Sequence, residues 1–500
     1  MYPILLALHR FDQSRNRATV PRTMRRGPAR SQQSFALEPT LEEKRAMGGA
    51  ALSYLIGFLE NLPEAPASDH DGALDLARLF RQPAPAEGTR DFDEVLRLIG
   101  EAASKGFETA GPGYLAYIPG GGLFSAAVAD FLATGVNRFV NVWHAAPVFA
   151  QIEATVIRWL CDLFGYPEAA GGILTSGGSM ANFSAIVTAR RALLPENFLR
   201  GTLYVSGQTH ASVAKSAVLA GFPPGNVRAV PTTPELRIDV AALRDMVKRD
   251  RDEGRTPFCL VGNAGTTNTG AVDPLDELGS VARDEGLWFH VDGAYGAFFQ
   301  LTERGRSLFR GIDAADSITL DPHKGMFLPY GTGCLLVRDR SRLREAHQVG
   351  ADYLQDLAPE DEIPNFSDYS PELSRDFRGL RVWLPVKLHG LGAFRAALNE
   401  KLDLATFLYE GLQDVPDLEV PWEPELSVVA FRIRSQRGSK GDERTRRLLE
   451  LINESKRVFL SSTLIDGRFT IRACIVSHRT HRDRVEEALQ IIREAAARSV

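Results

Sequence analysis

The sequence predicts an α/β fold, in which helices cover both faces of a mainly parallel sheet and a smaller α+β domain follows at the C-terminus. Two patterns in the 500 residues support this prediction. Short apolar runs alternate with helical patterns through the middle of the chain, which is typical of parallel sheets. After Arg381 this alternation stops. An apolar fraction of 44% is ample for a large core, and the length suggests two or three domains.

The first element is a basic segment over residues 1–35, which we expect to be a disordered tail. Its opening, MYPILLALHR, is apolar but short, and its charges follow the apolar stretch, which is the wrong order for a secretory signal. A start at Met24 or Met47 and an organelle-targeting peptide are the alternatives. The charged residues of the segment are Arg10, Asp12, Arg15, Arg17, Arg22, Arg25, Arg26 and Arg30.

Residues 36–122 are predicted to form an N-terminal helical segment. From about Leu37 a helical pattern begins, and apolar residues recur at spacings of three and four in LEEKRAMGGAALSYLIGFLENL. A Pro-rich piece follows from Leu62 to Pro85, and DFDEVLRLIGEAASKGF is a second helical stretch.

Residues 123–381 form the predicted large α/β domain. Its predicted strands are GGILTS, TLYVS, VRAVPT, PFCLVGNAG, LWFHVD, DSITLD and GCLLVRD. Ligands of such sheets bind in loops at the carboxyl ends of the strands, so we expect the chemistry there. Residues 382–500 form the predicted small α+β domain, with LSVVAFRIR and FTIRACIV as strands and ERTRRLLELINESKR and RDRVEEALQIIREAAA as helices.

Charge and cysteine content narrow the possible partners and compartments. The formal net charge is −5, which gives no electrostatic reason to expect nucleic acid or an anionic membrane, and no run of eighteen apolar residues indicates a membrane span. The four cysteines show no C-x-x-C spacing, so we expect buried single thiols and a reducing, cytoplasmic location. They are Cys161, Cys259, Cys334 and Cys474.

The first predicted strand end is rich in small residues and runs directly into a helix, as TSGGS from Thr175 to Ser179. Small residues let backbone amides approach an anion, and a helix N-terminus adds partial positive charge, so Gly178 and Ser179 could cradle a phosphate. Taken alone, a Gly-rich turn with Ser179 as helix cap explains the segment better. A G-x-S-x-G nucleophile elbow is a further alternative, but Ala181 stands in its last place.

Two later strand ends carry charged residues. Asp292 ends LWFHVD, where its carboxylate could meet a cationic ring nitrogen, although a turn or cap role would also explain it. Lys324 follows DSITLD within DPHKG, and lysine is rarely buried without a partner. A lysine there makes sense if its amine forms an imine with a carbonyl cofactor, which we favour over an exposed loop lysine.

The order of these motifs indicates one cofactor site at one sheet edge: the phosphate cradle, His210, Thr267, Asp292 and Lys324. The motifs TSGGSMAN, HASVAKS, GTTNTG, HVDGAYG and DPHKG resemble those of the group II pyridoxal-phosphate decarboxylases, which include aromatic-L-amino-acid and glutamate decarboxylases. The resemblance runs from about Leu37 to the C-terminus. It implies the fold-type I, aminotransferase-like fold, a homodimer with active sites at the interface, and pyridoxal 5'-phosphate as cofactor.

The resemblance also implies a role for each matching residue. Lys324 resembles the Schiff-base lysine, Asp292 the carboxylate that keeps the pyridine nitrogen protonated, and His210 the histidine stacked on the ring. The remaining positions resemble cofactor contacts: Gly178, Ser179, Thr267, Ala294, Asp321 and His323. Asp321 stands where relatives often have Asn, and a carboxylate near a phosphate would repel it unless paired.

Two tyrosines bear on the reaction and the substrate. Tyr353, in HQVGADYLQDL, lies where the family places a mobile-loop tyrosine that returns a proton to the α-carbon after CO2 leaves, across the dimer. An ordinary aromatic anchor is its alternative. Tyr117 matches a substrate-pocket position, but Ile118 replaces an aromatic of the aromatic-specific relatives, and Gly120 to Gly122 follow where a relative has a small polar residue. The resemblance therefore favours, without fixing, an aromatic substrate.

The predicted activity is decarboxylation of an L-amino acid to its amine and CO2. The nearest rival is another pyridoxal-phosphate reaction on the same fold, either transamination or aldehyde synthesis, and Tyr353 argues against the latter. A serine hydrolase using Ser179 and a non-catalytic scaffold protein are more remote alternatives. His478 and His481, in SHRTH, could suggest a metal pair, but their spacing without nearby carboxylates favours a solvated turn.

Overall fold

The N-terminal part of the chain is helical. The computed structural model describes residues 37–89, 91–348, 363–434 and 439–498. Helix α1 has a complete capping box between Thr40 and Glu43, yet none of its residues is buried in the single chain. A short helix, α2, lies inside the Pro-rich piece, where no helix was predicted. The elements are α1 (Leu41–Asn61), β1 (Ser68–Asp69), α2 (Ala73–Leu79), α3 (Phe92–Ala103), β2 (Gly106–Phe107), α4 (Phe124–Val136) and α5 (Pro147–Leu163).

A seven-stranded sheet forms the centre of the molecule. Its strands are β3 (Gly171–Thr175), β4 (Gly201–Ser206), β5 (Val227–Val230), β6 (Thr256–Asn263), β7 (Trp288–Asp292), β8 (Ser317–Leu320) and β9 (Gly333–Val337). Their spatial order is β3-β9-β8-β7-β6-β4-β5. Neighbours from β8 through β5 pair in parallel, whereas β9 runs antiparallel to both β3 and β8. The predicted mainly parallel α/β sheet is confirmed.

Helices connect the strands and cover the sheet. They are α6 (Gly178–Leu193), α7 (Ala211–Leu219), α8 (Val240–Asp252), α9 (Leu275–Glu285), α10 (Glu303–Leu308), α11 (Pro322–Gly325) and α12 (Arg340–His347). Every residue of β4, β7, β8 and β9 is buried. Strands buried on both faces need apolar side chains pointing both ways, which explains the near-continuous apolar runs in the sequence.

The C-terminal part is built on a four-stranded antiparallel sheet of order β10-β11-β13-β12. The first helix is interrupted at Gly390, whose φ is 70°. The elements are α13 (Gly379–Gln413), β10 (Leu418–Glu419), β11 (Val428–Ile433), α14 (Ser439–Glu454), β12 (Ser461–Ile465), β13 (Arg468–Cys474) and α15 (Arg482–Arg498). The sequence did not predict β10, which is two residues long, or β12, which is partly exposed. The domain limits at residues 35, 122 and 381 stay predictions.

Candidate active site

A cavity of about 290 Å³ lies where β3, β6, β7 and β8 end at one edge of the central sheet. The carboxyl ends of parallel strands meet at such an edge, so loops that are distant in sequence converge there. The lining residues are Ser176, Gly177, Gly178, Ser179, Met180, Asn182, His210, Ser212, Asn263, Gly265, Thr267, Asp292, Ala294, Tyr295, Asp321, His323 and Lys324. Among the described residues, all the sequence-predicted site residues except Tyr117 are therefore brought together.

The N-terminus of α6 provides an anion cradle at one end of the cavity. Helix α6 begins at Gly178 and no side chain caps its first turn, so its leading N–H groups are available to a ligand. A Cβ atom added at Gly178 would lie 3.0 Å from Asp321 Oδ2 and 3.1 Å from Ala294 Cβ. The closeness of these neighbours explains why glycine occupies this position. Ser179, the next residue of the helix, is exposed and lines the cavity.

Asp292 ends β7 with both carboxylate oxygens hydrogen-bonded, and it is 6% exposed. Oδ1 accepts from the backbone N–H of Ala294 at 3.1 Å, and Oδ2 accepts from Asn182 Nδ2 at 3.0 Å. Hydrogen bonds from neutral donors stabilise the charged form of a buried carboxylate. Asp292 is therefore placed to face a cationic group in the cavity.

Lys324 lies in α11, the short helix after β8, and its Nζ is 2.8 Å from Asp321 Oδ2. Asp321 is 2% exposed, and its other oxygen, Oδ1, has no hydrogen-bond partner among the described residues. The carboxylate that departs from the family pattern is thus paired with the lysine. His323 Nδ1 donates to the carbonyl of Thr332 at 2.7 Å, and burial lowers the pKa of His323.

His210 caps the N-terminus of α7 from the loop after β4. Its Nδ1 accepts from the backbone N–H of Ser212 at 3.2 Å and lies 2.8 Å from the Ser212 hydroxyl. An accepting Nδ1 places the proton of the neutral ring on Nε2. The cap therefore fixes both the position and the tautomer of an imidazole that lines the cavity.

Tyr117 is not among the residues that line the cavity in the described part of the chain. Tyr117 is 56% exposed with a positive φ of 53°, and its ring lies 6.2 Å from that of Phe107. Tyr353 lies outside the described residues. The roles assigned to both tyrosines stay predictions.

Sequence reasoning missed several lining residues, of which Asn182 has the most contacts within the site. Asn182 is fully buried, and its amide bridges Asp292, Ser212 and His290. One signal could have found it: Asn182 lies one helical turn after Gly178, inside the TSGGSMAN motif. Ser212 and Tyr295 likewise lie inside the motifs HASVAKS and HVDGAYG, whereas Asn263 carried no comparable signal.

The four cysteines are buried and unpaired, as predicted.

His478 is half-buried, and burial lowers its pKa to about 3. Only the exposed His481, which contacts Glu400, therefore fits the solvated turn expected there. Among the described residues, no group of three His, Cys, Asp or Glu side chains is placed to hold a metal ion. None of the helices in the described ranges combines the length and apolar character needed to cross a membrane.

Comparison with known proteins decides the family. The model of the pyridoxal-dependent decarboxylase conserved domain matches residues 76–434. This chain belongs to the pyridoxal-dependent decarboxylase family. An aromatic-L-amino-acid decarboxylase of Bacillus atrophaeus is 38% identical over 467 residues, which cover 92% of this chain and 96% of that protein. The resemblance to group II decarboxylases is thereby confirmed.

Further relatives extend the comparison. A phenylacetaldehyde synthase of Arabidopsis thaliana is 27% identical over 472 residues, covering 91% of this chain and 96% of that protein. The crystal structure of Catharanthus roseus tryptophan decarboxylase in complex with L-tryptophan matches with a TM-score of 0.86 at 25% identity, covering 93% of this chain and 100% of that chain. The predicted fold-type I architecture is confirmed by such structures.

This decarboxylase uses pyridoxal phosphate and is a carboxy-lyase acting on an amino acid. The described site fits that cofactor on its own chemistry. The cradle at Gly178 has uncapped N–H groups for a phosphate, Asp292 offers a carboxylate for a ring nitrogen, and Lys324 offers the amine. The unsatisfied, buried Oδ1 of Asp321 marks a polar position that is incomplete without a further group.

Proposed function

We propose that this decarboxylase converts an aromatic L-amino acid to the corresponding amine and CO2. The observation that carries the proposal is the convergence of Lys324, Asp292, His210 and the Gly178 cradle on one cavity. The aromatic preference is supported by the Bacillus atrophaeus relative, which is named as an aromatic-L-amino-acid decarboxylase.

Different residues of the cavity would hold different parts of the cofactor. The N–H groups at the start of α6 would hold the phosphate, Lys324 would hold the cofactor covalently, and Asp292 would hold a proton on its ring nitrogen. When bound, pyridoxal phosphate supplies the electron sink for the pair released as CO2 departs. Asp321, 2.8 Å from Lys324 Nζ, would hold the lysine side chain in place until the cofactor arrives.

His210 and Tyr353 would act on the substrate side. The Nε2–H of His210 would donate to the substrate carboxylate, because Nδ1 is engaged by Ser212. Tyr353 would return a proton to the α-carbon after CO2 leaves. A proton donor at that atom completes the amine and prevents its oxidation, which is why this residue bears on the choice between amine and aldehyde.

A homodimer belongs to the same proposal. Helix α1 has no buried residue in the single chain, although helices gain most of their stability from packing an apolar face. Leu52 and Ile56 on this helix are 49% and 46% exposed, and Phe131 and Val148 elsewhere are 73% and 72% exposed. A second copy would cover these surfaces and could bring its Tyr117 and Tyr353 to the site. Sedimentation analysis should give twice the chain mass, and a monomer would contradict the proposal.

The cytoplasm is the proposed location, supported by four buried, unpaired cysteines, which a reducing compartment preserves.

The test is to incubate the cofactor-loaded protein with single L-amino acids, aromatic and acidic ones included, and to measure CO2, amine, aldehyde and hydrogen peroxide together. Equal amounts of CO2 and amine from one aromatic member support the proposal. Lys324→Ala should abolish turnover and the visible absorbance of the bound cofactor, whereas Lys215→Ala, on α7, should change neither. Turnover by Lys324→Ala, or an acidic amino acid as the preferred substrate, would overturn the corresponding part of the proposal.

Aldehyde synthesis is the second candidate, because phenylacetaldehyde synthases are among the relatives. Aldehyde and peroxide from the unaltered protein would favour it, and turnover that depends on a keto acid would favour transamination. Tyr353→Phe should suppress the amine and admit aldehyde, whereas a normal amine yield would remove Tyr353 from the mechanism. Ser179 has no hydrogen bond from its hydroxyl to a histidine within the described residues, so the hydrolase alternative lacks its base.

A further inference from the structure

A continuous line of buried hydrogen bonds runs from the interior of the central sheet to the carboxylate of Asp292. Trp288 Nε1 donates to Ser317 Oγ at 2.8 Å, and Ser317 Oγ lies 2.8 Å from His290 Nδ1. His290 Nε2 lies 3.0 Å from Asn182 Oδ1, and Asn182 Nδ2 donates to Asp292 Oδ2 at 3.0 Å. All five side chains are buried.

The Trp288 end of the line permits one direction for these hydrogen bonds. An indole N–H can only donate, so Ser317 Oγ accepts from Trp288 and keeps its own proton, which it can donate to His290 Nδ1. With Nδ1 accepting, the ring proton of His290 is on Nε2 and is donated to Asn182 Oδ1. The amide of Asn182 must then present its NH2 group to Asp292.

The Asp292 end of the line fixes the direction of the hydrogen bonds. Asp292 Oδ2 and Ser212 Oγ both lie 3.0 Å from Asn182 Nδ2. A reversed amide would place Asn182 Oδ1 against a carboxylate oxygen, which is repulsive in a buried site. Burial lowers the pKa of His290 to about 4, so its ring stays neutral near neutral pH and carries one proton. The arrangement that the Asp292 end requires is therefore one that the Trp288 end permits.

We propose that Asn182 is a positioning residue for the cofactor, with His290 as the group that orients it. The amide of Asn182 stabilises the negative charge on Asp292 and holds the carboxylate in one rotamer, so that Asp292 can keep the cofactor ring nitrogen protonated. The inference rests on the proposed function, because it takes Asp292 as the partner of that nitrogen. In this role Asn182 and His290 act through Asp292 and not by contact with cofactor or substrate. The inference also explains why polar side chains are buried on β7 and β8.

The consequence is a measurable change in the bound cofactor. Removing a hydrogen bond to a buried charged group changes the equilibrium constant that depends on it by about tenfold to a hundredfold. Loss of the Asn182 donor should therefore weaken pyridoxal phosphate binding by about that factor and shift the ring nitrogen towards its unprotonated state. The turnover number should fall more than KM rises, because substrate binding does not use this donor.

The experiment uses pyridoxal phosphate labelled with 15N at the ring nitrogen, bound to the full chain, with cofactor affinity measured by absorbance titration. Asn182→Leu removes donor and acceptor at similar volume, and Asn182→Asp keeps the shape but replaces the NH2 group by oxygen. Ser184→Ala, two residues along α6, is the matched control because Ser184 is fully buried and its hydroxyl has no hydrogen-bond partner within the described ranges. Circular dichroism checks that each variant folds, and the Asp variant carries the test if the Leu variant does not.

The expected result is an altered 15N shift and weaker cofactor binding for both Asn182 variants, with Ser184→Ala like the unaltered protein. Trp288→Phe, at the far end of the line, should give a smaller change in the same direction. An Asn182→Asp protein with the unaltered 15N shift and affinity would overturn the inference while leaving the proposed function intact. Failure of the unaltered protein to bind the cofactor at Lys324 would instead overturn the proposed function.

Discussion

Gly120→Ala is predicted to disable the site from a position outside the cavity. A Cβ atom at Gly120 would lie 2.9 Å from the carbonyl carbon of His323 and much closer to its carbonyl oxygen, with the Leu328 carbonyl at 3.4 Å. Cβ contacts under 3.0 Å essentially do not occur, so one backbone segment must move by about an ångström. His323 immediately precedes Lys324, so this movement displaces the lysine.

The magnitude follows from the clash. Overpacking against backbone costs about 1–3 kcal/mol of stability, and misplacing a reacting group by about 1 Å costs about a hundredfold in rate. We therefore expect Gly120→Ala to lower kcat/KM by about a hundredfold, to weaken cofactor binding, and to reduce the free energy of unfolding by about 1–3 kcal/mol.

Three measurements check this prediction: the decarboxylation rate, an absorbance titration with pyridoxal phosphate, and urea unfolding. Gly207→Ala is the control, since its added Cβ meets nothing within 4 Å and its loop also leads to the site at His210. If Gly120→Ala matched Gly207→Ala in all three measurements, the close contact between Gly120 and the lysine-bearing turn would not have the importance inferred from it.

Three further predictions address the cradle, a buried ion pair and a buried histidine. Gly178→Ala should weaken pyridoxal phosphate binding about tenfold, because the added Cβ would lie 3.0 Å from Asp321 Oδ2 and narrow the anion cradle. An unchanged affinity in the absorbance titration would contradict this. Arg375→Met should lower the free energy of urea unfolding by about 3–5 kcal/mol, because it leaves the fully buried Glu153 carboxylate, now 2.5 Å from the guanidinium, without its partner; a change below about 1 kcal/mol would refute it. The contribution of His290 to the unfolding free energy should fall by up to about 3 kcal/mol as pH drops from about 6.5 to about 4, because His290 takes up a proton there only when unfolded. His290→Asn should flatten that slope in urea titrations at several pH values, and an equal slope in both proteins would be inconsistent with a depressed His290 pKa.

The sequence by itself determined the central sheet and the main members of the site. Strands buried on both faces require continuous apolar runs, and helices require apolar residues at spacings of three and four, so both are visible locally. Gly178, Asp292 and Lys324 were also visible, because each follows a strand and the ends of parallel strands share one edge. The assigned roles rest on a resemblance to a known family and remain to be tested by the variants above.

The tertiary structure alone decided which side chains pair. The bond between Asn182 and Asp292 joins positions 110 residues apart, and the buried pair of Glu153 and Arg375 joins positions 222 residues apart. It also resolved Asp321, which the sequence left as an unexplained carboxylate and the structure pairs with Lys324. Local patterns report on backbone conformation and on which face is buried, whereas a hydrogen-bond partner is set by how distant elements pack against each other.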